Sequence, residues 1–297
     1  MPRRRLTSVA VRLGGWVYLF DCGEGTQVPY KELHLGLRPL RVVAVSHLHA
    51  DHCLGLPGLL MLRAQMPDPE PLLILGPPGL RRFLRHVRED LAVFINYEIE
   101  VREWAPPAAP EDDLAYEDEL LRLRWRPLAH STLCLGYRLE EHERPGRFDP
   151  DAAERLGVPF GPLRGRLQAG EAIVLEGERR VEPAQVLGPP RRGRRIAFVT
   201  DTAPCASLAP LLAGTDVAFL EGMFLPEHRE EAASKKHLSV DQAAQAATEA
   251  QVDRLVLVHL SPRYEGAEVK ALGAEAARLH ARVEVARDGQ RIEVPLP

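Results

Sequence analysis

The chain has 297 residues, 45% of them hydrophobic, and a formal net charge of −4. This apolar content is enough for a sizeable core, and no stretch of about 18 apolar residues predicts a membrane span. The charge argues against a protein that coats nucleic acid indiscriminately, although it leaves room for a local basic surface.

The four cysteines, Cys22, Cys53, Cys134 and Cys205, share no C-x-x-C spacing, and most lie near candidate metal ligands in apolar runs. Buried free thiols in a reducing compartment explain this pattern better than disulfides do. The basic N-terminus leads into a strand pattern and not into the apolar core of a signal peptide. We therefore expect a cytoplasmic protein.

Apolar runs that end in a metal-ligand or acid–base residue recur along the chain. Alternation from Thr7 and the pair Gly14–Gly15 predict a hairpin, and its second strand, Trp16–Phe20, ends at Asp21. The later runs are Arg41–Val45 before His47, Leu121–Pro127 before His130, Ile196–Thr200 before Asp201, Val217–Leu220 before Glu221, and Leu255–Val258 before His259. Because loops beyond the carboxyl ends of strands converge in layered α/β proteins, these endings predict one shared site.

Helical patterns separate several of these strands. Leu54–Leu62 contains Pro57 near its start, Ser239–Gln242 is a capping box ahead of Ala243–Ala250, and Gly266–His280 is rich in alanine. Strands come in runs as well as in alternation with helices. We therefore expect an α/β fold in which mixed sheets form a sandwich with helices outside.

The segment Ser46–His52 contains three imidazoles and a carboxylate within six residues. Such a group has no packing role, whereas imidazole and carboxylate together suit zinc and similar metals. A solvated histidine-rich loop is the alternative.

More distant residues complete a candidate ligand set. The set is His47, His49, Asp51, His52, His130, Asp201 and His259. With one bridging carboxylate, seven such ligands serve a pair of metal ions, an arrangement that suits phosphodiester hydrolysis. Taken alone, His130 is also explained as a half-buried histidine, and Asp201 as a turn or helix cap. The other histidines, His34, His86, His142, His228 and His280, have no such setting and are predicted to lie on the surface.

The region 145–195 is rich in proline, glycine and arginine. This composition favours a projecting arm over a core layer. A long solvated linker is the alternative.

The order of these motifs resembles that of the metallo-β-lactamase superfamily, and within it the ribonuclease Z family, which trims 3′ trailers from precursor tRNA. The likeness covers nearly the whole chain. It rests on Phe20–Gln27, His47–His52, His130, Asp201 and His259, and more specifically on Gly55–Leu60, Leu187–Pro190 and His259–Tyr264.

The resemblance implies a single domain over residues 1–297 with a four-layer αββα sandwich of two mixed sheets. It implies two zinc ions per subunit, or manganese or another divalent metal. His47, His49 and His130 would hold the first ion, Asp51, His52 and His259 the second, and Asp201 would bridge them. Asp51 would also orient or deprotonate the attacking water, and Asp21 would fix ligand imidazoles through hydrogen bonds.

The resemblance also assigns a proton donor and a substrate-binding arm. His237 matches the catalytic histidine and Glu221 its acidic partner, although His237 is also explained as a plain residue ahead of a helix cap. Gly157–Pro162 matches the glycine–proline motif of the flexible arm. The arm residues Gly157, Gly161, Pro162, Arg164 and Arg166 would grip precursor tRNA. The family further suggests a homodimer in which one arm serves the other subunit's site.

Two features depart from the family pattern. The family opens with a strand ending in a Gly-Thr-Gly turn, followed by a proline-rich loop ending in Arg-Asn, whereas this chain begins at Met1–Ser8, so the first strand is expected to be missing. The family's His-Glu-Ala-Thr segment reads Leu220–Met223, which keeps only the glutamate.

The main hypothesis is an endoribonuclease that produces 5′-phosphomonoesters from precursor tRNA. The alternatives are a hydrolase of a small phosphodiester or ester with the same fold, and a non-catalytic binding protein with a vestigial site.

Overall fold

The structure is a computed structural model that describes residues 4–105 and 113–297. The strands are β1 (Val9–Leu13), β2 (Trp16–Phe20), β3 (Leu40–Ala44), β4 (Leu72–Gly76), β5 (Ile99–Glu103), β6 (Leu114–Glu117), β7 (Leu121–Leu128), β8 (Cys134–Glu141), β9 (Ile173–Val174), β10 (Arg180–Val181), β11 (Arg195–Val199), β12 (Val217–Glu221), β13 (Arg254–Val258) and β14 (Val283–Val285). The α-helices are α1 (Gln27–Glu32), α2 (Ala50–Cys53), α3 (Leu56–Arg63), α4 (Leu80–Asp90), α5 (Pro150–Arg155), α6 (Pro162–Gln168), α7 (Leu208–Leu212), α8 (Arg229–Lys235), α9 (Val240–Glu249) and α10 (Ala267–Ala277). Short 3₁₀ helices cover Glu176–Glu178, Pro183–Gln185 and Pro226–His228.

The chain divides into two compact units. One comprises Met1–Glu140 and Arg195–Val294, and the other comprises Glu141–Arg194 and Pro295–Pro297. The strands that end at the candidate site all belong to the first unit, and they lie within one residue of the bounds predicted from the sequence.

The N-terminal sheet has the strand order β1-β2-β3-β4-β5. Strands β1 and β2 form the predicted antiparallel hairpin, in which Leu13 pairs with Trp16. Gly14 and Gly15 make its two-residue turn with φ values of 57° and 90°, which glycine adopts without steric cost. Strands β2 to β5 run parallel to one another, so the loops after β2, β3 and β4 leave at one edge.

The C-terminal sheet has the strand order β14-β13-β12-β11-β8-β7-β6. Strands β11 to β14 are parallel neighbours, whereas β8 pairs with β11 antiparallel. Both sheets are therefore mixed. The loops after β11, β12 and β13 leave together, and they carry the second half of the candidate site.

Apolar side chains from the two sheets meet in a central core. Phe20 of the N-terminal sheet packs against Tyr137 and Phe198 of the C-terminal sheet, with ring centroids 6.1 Å and 5.5 Å away. The outer face of the N-terminal sheet is covered by α1, α3 and α4, and that of the C-terminal sheet by α7, α9 and α10. Helix–sheet–sheet–helix is thus the layer order, and the predicted α/β sandwich of two mixed sheets is confirmed.

The second unit has an apolar core of its own. Ala153, Val158, Leu167, Ile173 and Val181 are all buried within it. They come from α5, α6, the β9–β10 hairpin and the connecting loops. The alternative prediction of a long solvated linker is therefore wrong, because spaced apolar residues among the prolines and arginines are sufficient for a small core.

The cysteines agree with the prediction of free thiols. All four are unpaired; Cys22, Cys53 and Cys134 are buried, and Cys205 is half-buried. Across the described ranges, no helix combines the length and the apolar character needed to cross a bilayer.

Candidate metal and catalytic site

The loop after β3 carries the Ser46–His52 motif, and close backbone packing fixes its position. The N–H of Cys22 donates to the carbonyl of His52 (2.8 Å), and the N–H of Gly55 donates to the carbonyl of Cys22 (2.8 Å). A Cβ atom at Gly55 would lie 2.1 Å from the Gly23 carbonyl oxygen. Only glycine allows this approach, which places α2 beside the end of β2.

Asp21, directly after β2, holds the Ser46–His52 motif in place through hydrogen bonds. Its fully buried carboxylate accepts hydrogen bonds from Ser46 N (2.6 Å), Ser46 Oγ (2.8 Å) and His52 Nδ1 (2.7 Å). Because a carboxylate oxygen only accepts, Nδ1 of His52 carries a proton, and Nε2 faces away from Asp21.

Hydrogen bonds orient two further imidazoles in the same way. Ser46 Oγ gives its hydrogen to Asp21, so it accepts from His47 Nδ1 at 2.9 Å. His130 Nδ1 donates to the carbonyl of Lys236 at 3.1 Å. The Nε2 atoms of His47 and His130 therefore carry lone pairs that can bind a metal.

One group of donors consists of His47, His49, His130 and Asp201, with ligand atoms within 4.8 Å of one another. His47 Nε2 lies 2.9 Å from His49 Nδ1 and 3.7 Å from Asp201 Oδ2. His130 Nε2 lies 3.6 Å from the same carboxylate oxygen.

A second group consists of Asp51, His52 and His259. The Nε2 atoms of His52 and His259 face each other at 3.3 Å, and each lies 3.3–3.4 Å from Asp51 Oδ2. The other oxygen of Asp201, Oδ1, lies 3.4 Å from His52 Nε2 and 3.3 Å from His259 Nδ1. Asp201 therefore reaches both groups, one through each carboxylate oxygen.

Three site residues just beyond strand ends have left-handed backbone: Asp21 and His259 directly follow β2 and β13, and Asp201 lies two residues beyond β11. The φ values are 55° for Asp21, 37° for Asp201 and 52° for His259. This conformation is uncommon outside glycine, although aspartate and histidine are enriched there. Such local strain is typical of functional sites.

The pKa values of four imidazoles, those of His47, His52, His130 and His259, are shifted from the ordinary value. Burial and the neighbouring imidazole of His52 lower the pKa of His47 to about 2. Burial opposes the charged form of His52 as well, but the carboxylates of Asp21 and Asp51 outweigh it and raise the pKa of His52 to about 10. Burial lowers the pKa of His130. Burial also opposes protonation of His259, but Asp201 and other carboxylates raise its pKa well above the ordinary value.

The two carboxylates are held in their ionised form. Hydrogen bonds from His259 and His52 lower the pKa of Asp51. Burial would raise the pKa of Asp201, but the imidazoles of His259 and His52 overcome that effect and lower it.

The donor set fits divalent metal ions. His130 Nε2 is buried and makes no hydrogen bond to the described part of the chain, and the same holds for His259 Nδ1 despite its approach to Asp201. Buried polar atoms are rarely left without a partner. Imidazole nitrogens that face one another across a carboxylate are stabilised by a cation between them, and these ligand types suit zinc and similar metals.

Beside the two groups lies the pair His237–Glu221. His237 Nδ1 donates to Glu221 Oε2 at 2.8 Å, and the backbone N–H of Thr202 donates to the other oxygen of the fully buried Glu221. The ring centroid of His237 lies 5.0 Å from that of His130 and 5.6 Å from that of His259. His237 therefore lies next to the metal donors. A residue that merely precedes a helix cap would not need to lie there.

The segment Leu220–Met223 differs from the family pattern for a packing reason. Leu220 is fully buried in the core under α9. A Cβ atom at Gly222 would lie 2.9 Å from Val240 Cγ1 and 3.0 Å from Leu257 Cδ2. The start of α9 approaches the strand so closely that glycine replaces the alanine of the family.

The predicted arm residues lie in the second unit. Gly157 follows α5 with φ 71°, and Gly161 precedes Pro162 with φ 133°. Arg164 donates from Nε and Nη2 to the carbonyl of Val158 (3.2 Å and 3.0 Å).

Two further side chains of this unit bear on the arm prediction. Arg166 pairs with Glu171 at 2.9 Å and is therefore not a free cation within the unit. Phe160 is 93% exposed and had not been singled out from the sequence. A large apolar side chain between two glycines is the signal that could have identified it.

Some site features had no signal in the sequence. Lys236 acts through its backbone carbonyl, which any residue supplies, and Ser46 acts by fixing the tautomer of His47. The prediction that His280 lies on the surface is wrong. It is buried, and its Nδ1 lies 3.1 Å from Thr248 Oγ1, because the end of α10 packs against α9.

Comparison with known proteins places this geometry in context. A model described as the metallo-beta-lactamase superfamily matches residues 3–135, and one described as a beta-lactamase superfamily domain matches residues 156–260. The chain is 42% identical to ribonuclease Z of Treponema denticola over 294 residues, which is 99% of this chain and 94% of that protein. It is 39% identical to ribonuclease Z of Salinibacter ruber over 292 residues, which is 98% of this chain and 89% of that protein.

Solved structures share the fold. Human tRNase Z, short form, superposes with a TM-score of 0.72 at 23% identity, covering 100% of this chain and 95% of that one. The metallo-beta-lactamase fold protein YhfI of Bacillus subtilis superposes with a TM-score of 0.66 at 16% identity, covering 98% and 92%.

Proposed function

The chain belongs to the ribonuclease Z family of the metallo-β-lactamase superfamily, and from this premise we propose that it removes the 3′ trailer from precursor tRNA as a dizinc endoribonuclease. One observation carries the proposal. Seven imidazole and carboxylate donors from both sheets lie in two groups, and Asp201 reaches both groups.

In the proposed site, His47, His49 and His130 would hold one zinc ion, Asp51, His52 and His259 would hold the other, and Asp201 would serve both, since its carboxylate reaches both groups of donors. When bound, a pair of divalent cations lowers the pKa of a water molecule and neutralises charge on a phosphodiester. Manganese or another divalent metal suits the same ligands. Asp21 keeps Nε2 of His52 directed at the site.

The side chains of this protein position water and move a proton. Asp51 is 42% exposed at its side chain, so one oxygen can orient or deprotonate a water that approaches from solvent. Attack on phosphorus breaks the bond to the 3′ oxygen of the tRNA, which leaves a 5′-phosphate on the trailer. His237, held by Glu221, donates a proton to the departing 3′ oxygen.

The arm of the proposed enzyme is the second unit. Gly157, Gly161 and Pro162 form a turn that presents the exposed ring of Phe160, with Arg164 and Arg166 beside it. Double-stranded RNA is recognised largely by shape and by phosphate contacts. We propose that this turn contacts precursor tRNA away from the cut.

We also propose that the protein is a homodimer in which the arm of one subunit serves the site of the other. Val28 of α1 and Met61 of α3 are each about half exposed, at 46% and 49%. Helices α1 and α3 are neighbours, since a Cβ atom at Gly58 would lie 3.0 Å from the Gln27 side chain. Sedimentation at micromolar concentration tests this part, and a monomer would contradict it. A cytoplasmic location stays a prediction.

Cleavage mapping on a precursor tRNA, with and without a chelator, tests the proposed function. The metal-loaded protein should cut next to the discriminator base over many turnovers, and both the chelator and the Asp51→Ala substitution should abolish the cut. The exposed His34 offers a matched control, because His34→Ala removes an imidazole that belongs to neither donor group. Hydrolysis of a small phosphodiester without RNA cleavage would favour the alternative hydrolase. Protein that neither binds metal nor cuts RNA would favour a binding protein.

A further inference from the structure

Helix α4 has a strongly basic outer surface. Leu80, Phe83 and Leu84 pack into the outer core of the N-terminal sheet, and Val87 is buried. The exposed side carries Arg81, Arg82, Arg85 and Arg88. A dense group of arginines on one helix of a chain with net charge −4 needs an explanation that packing does not provide.

Three of these arginines line an open cleft of about 410 Å³, together with Pro78, Gly79 and Glu103. The carboxylate of Glu103 is already engaged, because it accepts from the N–H groups of Gly79 (2.8 Å) and Arg81 (3.0 Å). It also lies 3.8 Å from the Arg81 guanidinium. Within residues 4–105 and 113–297, no acidic side chain pairs with Arg82 or Arg85. The cleft therefore has two uncompensated guanidinium groups, which suit phosphate oxygens.

The cleft adjoins the metal-binding loop. Strand β4 runs parallel to β3, so the turn that leads into α4 leaves the N-terminal sheet at the same edge as the Ser46–His52 motif. A Cβ atom at Gly79 would lie 3.1 Å from Leu48 Cδ1, and Leu48 stands between two of the metal donors. The same Cβ atom would lie 3.9 Å from Arg82 Nη2. Arg82 is thus separated from the loop by a single layer of atoms.

The position of the cleft also indicates which part of an RNA it meets. His237 and Glu221 belong to the C-terminal sheet and its loops, whereas α4 covers the N-terminal sheet. The 3′ oxygen that His237 protonates stays with the tRNA body. In the proposed reaction, the RNA on the other side of the scissile phosphorus is the trailer, and this placement of His237 directs it toward the N-terminal sheet.

We propose that Arg82 and Arg85, with Arg81 in the wall of the cleft, bind backbone phosphates of the 3′ trailer immediately downstream of the cut. This inference rests on the proposed function for its direction. The contact is made to phosphates and not to base edges, so it is independent of trailer sequence and sensitive to salt.

The test compares the double variant Arg82→Gln/Arg85→Gln with a control that removes two charges from another exposed helix surface, Lys270→Gln/Arg278→Gln. The first measurement is binding of a 5′-phosphorylated single-stranded RNA of about eight nucleotides to metal-free protein, by fluorescence anisotropy at several salt concentrations. The Arg82/Arg85 variant should bind the RNA about tenfold more weakly. The slope of log K against the logarithm of the salt concentration should become shallower by about 1.4, because each of two lost phosphate contacts contributes about 0.7. The control should bind as the wild type does.

The second measurement is KM for precursor tRNAs with a long trailer and with a single-nucleotide trailer. The Arg82/Arg85 substitutions should raise KM for both substrates by different factors. The factor for the long trailer should be about ten times that for the short trailer. An equal increase in KM for both trailers, or unchanged binding of the short RNA, would overturn the assignment of this cleft to the trailer. Cleavage of precursor tRNA by the wild type would still support the proposed function in that case. A wild type that bound the RNA through these arginines but cut no precursor would instead overturn the proposed function and leave the phosphate site standing.

Discussion

Replacing Asp21 by asparagine should weaken metal binding without unfolding the protein. The carboxylate is fully buried and accepts three hydrogen bonds, one at Oδ1 and two at Oδ2. An asparagine must place its NH₂ group at one of these positions. If the NH₂ group faced the backbone N–H of Ser46, two donors would oppose each other, and the backbone N–H cannot become an acceptor. Leaving these buried donors without an acceptor costs about 1–3 kcal/mol.

The opposite orientation is cheaper, because the Ser46 hydroxyl and the His52 ring can both change roles. His52 Nδ1 then accepts from the amide and its proton moves to Nε2, which faces Asp51 and His259. A protonated Nε2 cannot bind a metal. We expect metal affinity to fall about 10–100-fold, which corresponds to about 1.4–2.7 kcal/mol.

Metal titration against a competing chelator measures this change, and thermal unfolding of the metal-free protein measures any loss of stability. Asp118→Asn is the matched control, since Asp118 is also a buried carboxylate that accepts several hydrogen bonds but serves a tyrosine–arginine cluster. The control should lose stability and keep its metal affinity. Wild-type metal affinity in the Asp21→Asn variant would refute the reasoning about the His52 tautomer.

The other predictions concern catalysis, pH and packing. His237→Ala should lower kcat on precursor tRNA about 10²–10⁴-fold with bound metal unchanged by elemental analysis, whereas His34→Ala should leave kcat unchanged; equal rates for both variants would contradict the role as proton donor. Burial opposes the charge of Asp118, but the groups that donate hydrogen bonds to it hold its pKa below the usual range. The ionised carboxylate therefore stabilises the folded protein above the pKa of the unfolded chain, about 3.9. This stabilisation is lost as the pH falls through the pKa of the folded protein. The difference in unfolding free energy between the wild type and Asp118→Asn should therefore shrink from pH 7 to below pH 4 in urea titrations, and a constant difference would count against it. Gly55→Ala should destabilise the protein by about 3 kcal/mol or more, since its Cβ meets backbone, whereas Gly165→Ala, in open space within α6, should stabilise it by about 0.5–1 kcal/mol in thermal unfolding.

The sequence was sufficient to predict the strands that end in polar residues, because each is a short apolar run stopped by a residue that a core excludes. It was sufficient for the two mixed sheets, because the order of those runs matched a known family. It was not sufficient for β4 and α4, whose boundaries are marked only by Pro77–Gly79. Contacts made through backbone atoms, such as the carbonyl of Lys236 that orients His130, are independent of side-chain type and leave no pattern to read.

The surface features were harder to predict for a different reason. The arginines of α4 look like an ordinary solvated face in the sequence, and only the parallel pairing of β3 and β4 brings them beside Leu48. His280 likewise looks like a surface residue until α10 is packed on α9. Both depend on neighbours that are distant along the chain.

The seven donors are divided between the two sheets, with four in the loop and helix α2 that follow β3 and three on loops after β7, β11 and β13. Neither half of the sandwich alone has the complete set. Catalytic competence is therefore an all-or-none property of the closed sandwich, and a partly folded chain that kept only one sheet would be inert toward RNA. A cell that makes such a nuclease is protected from stray cleavage until folding is finished.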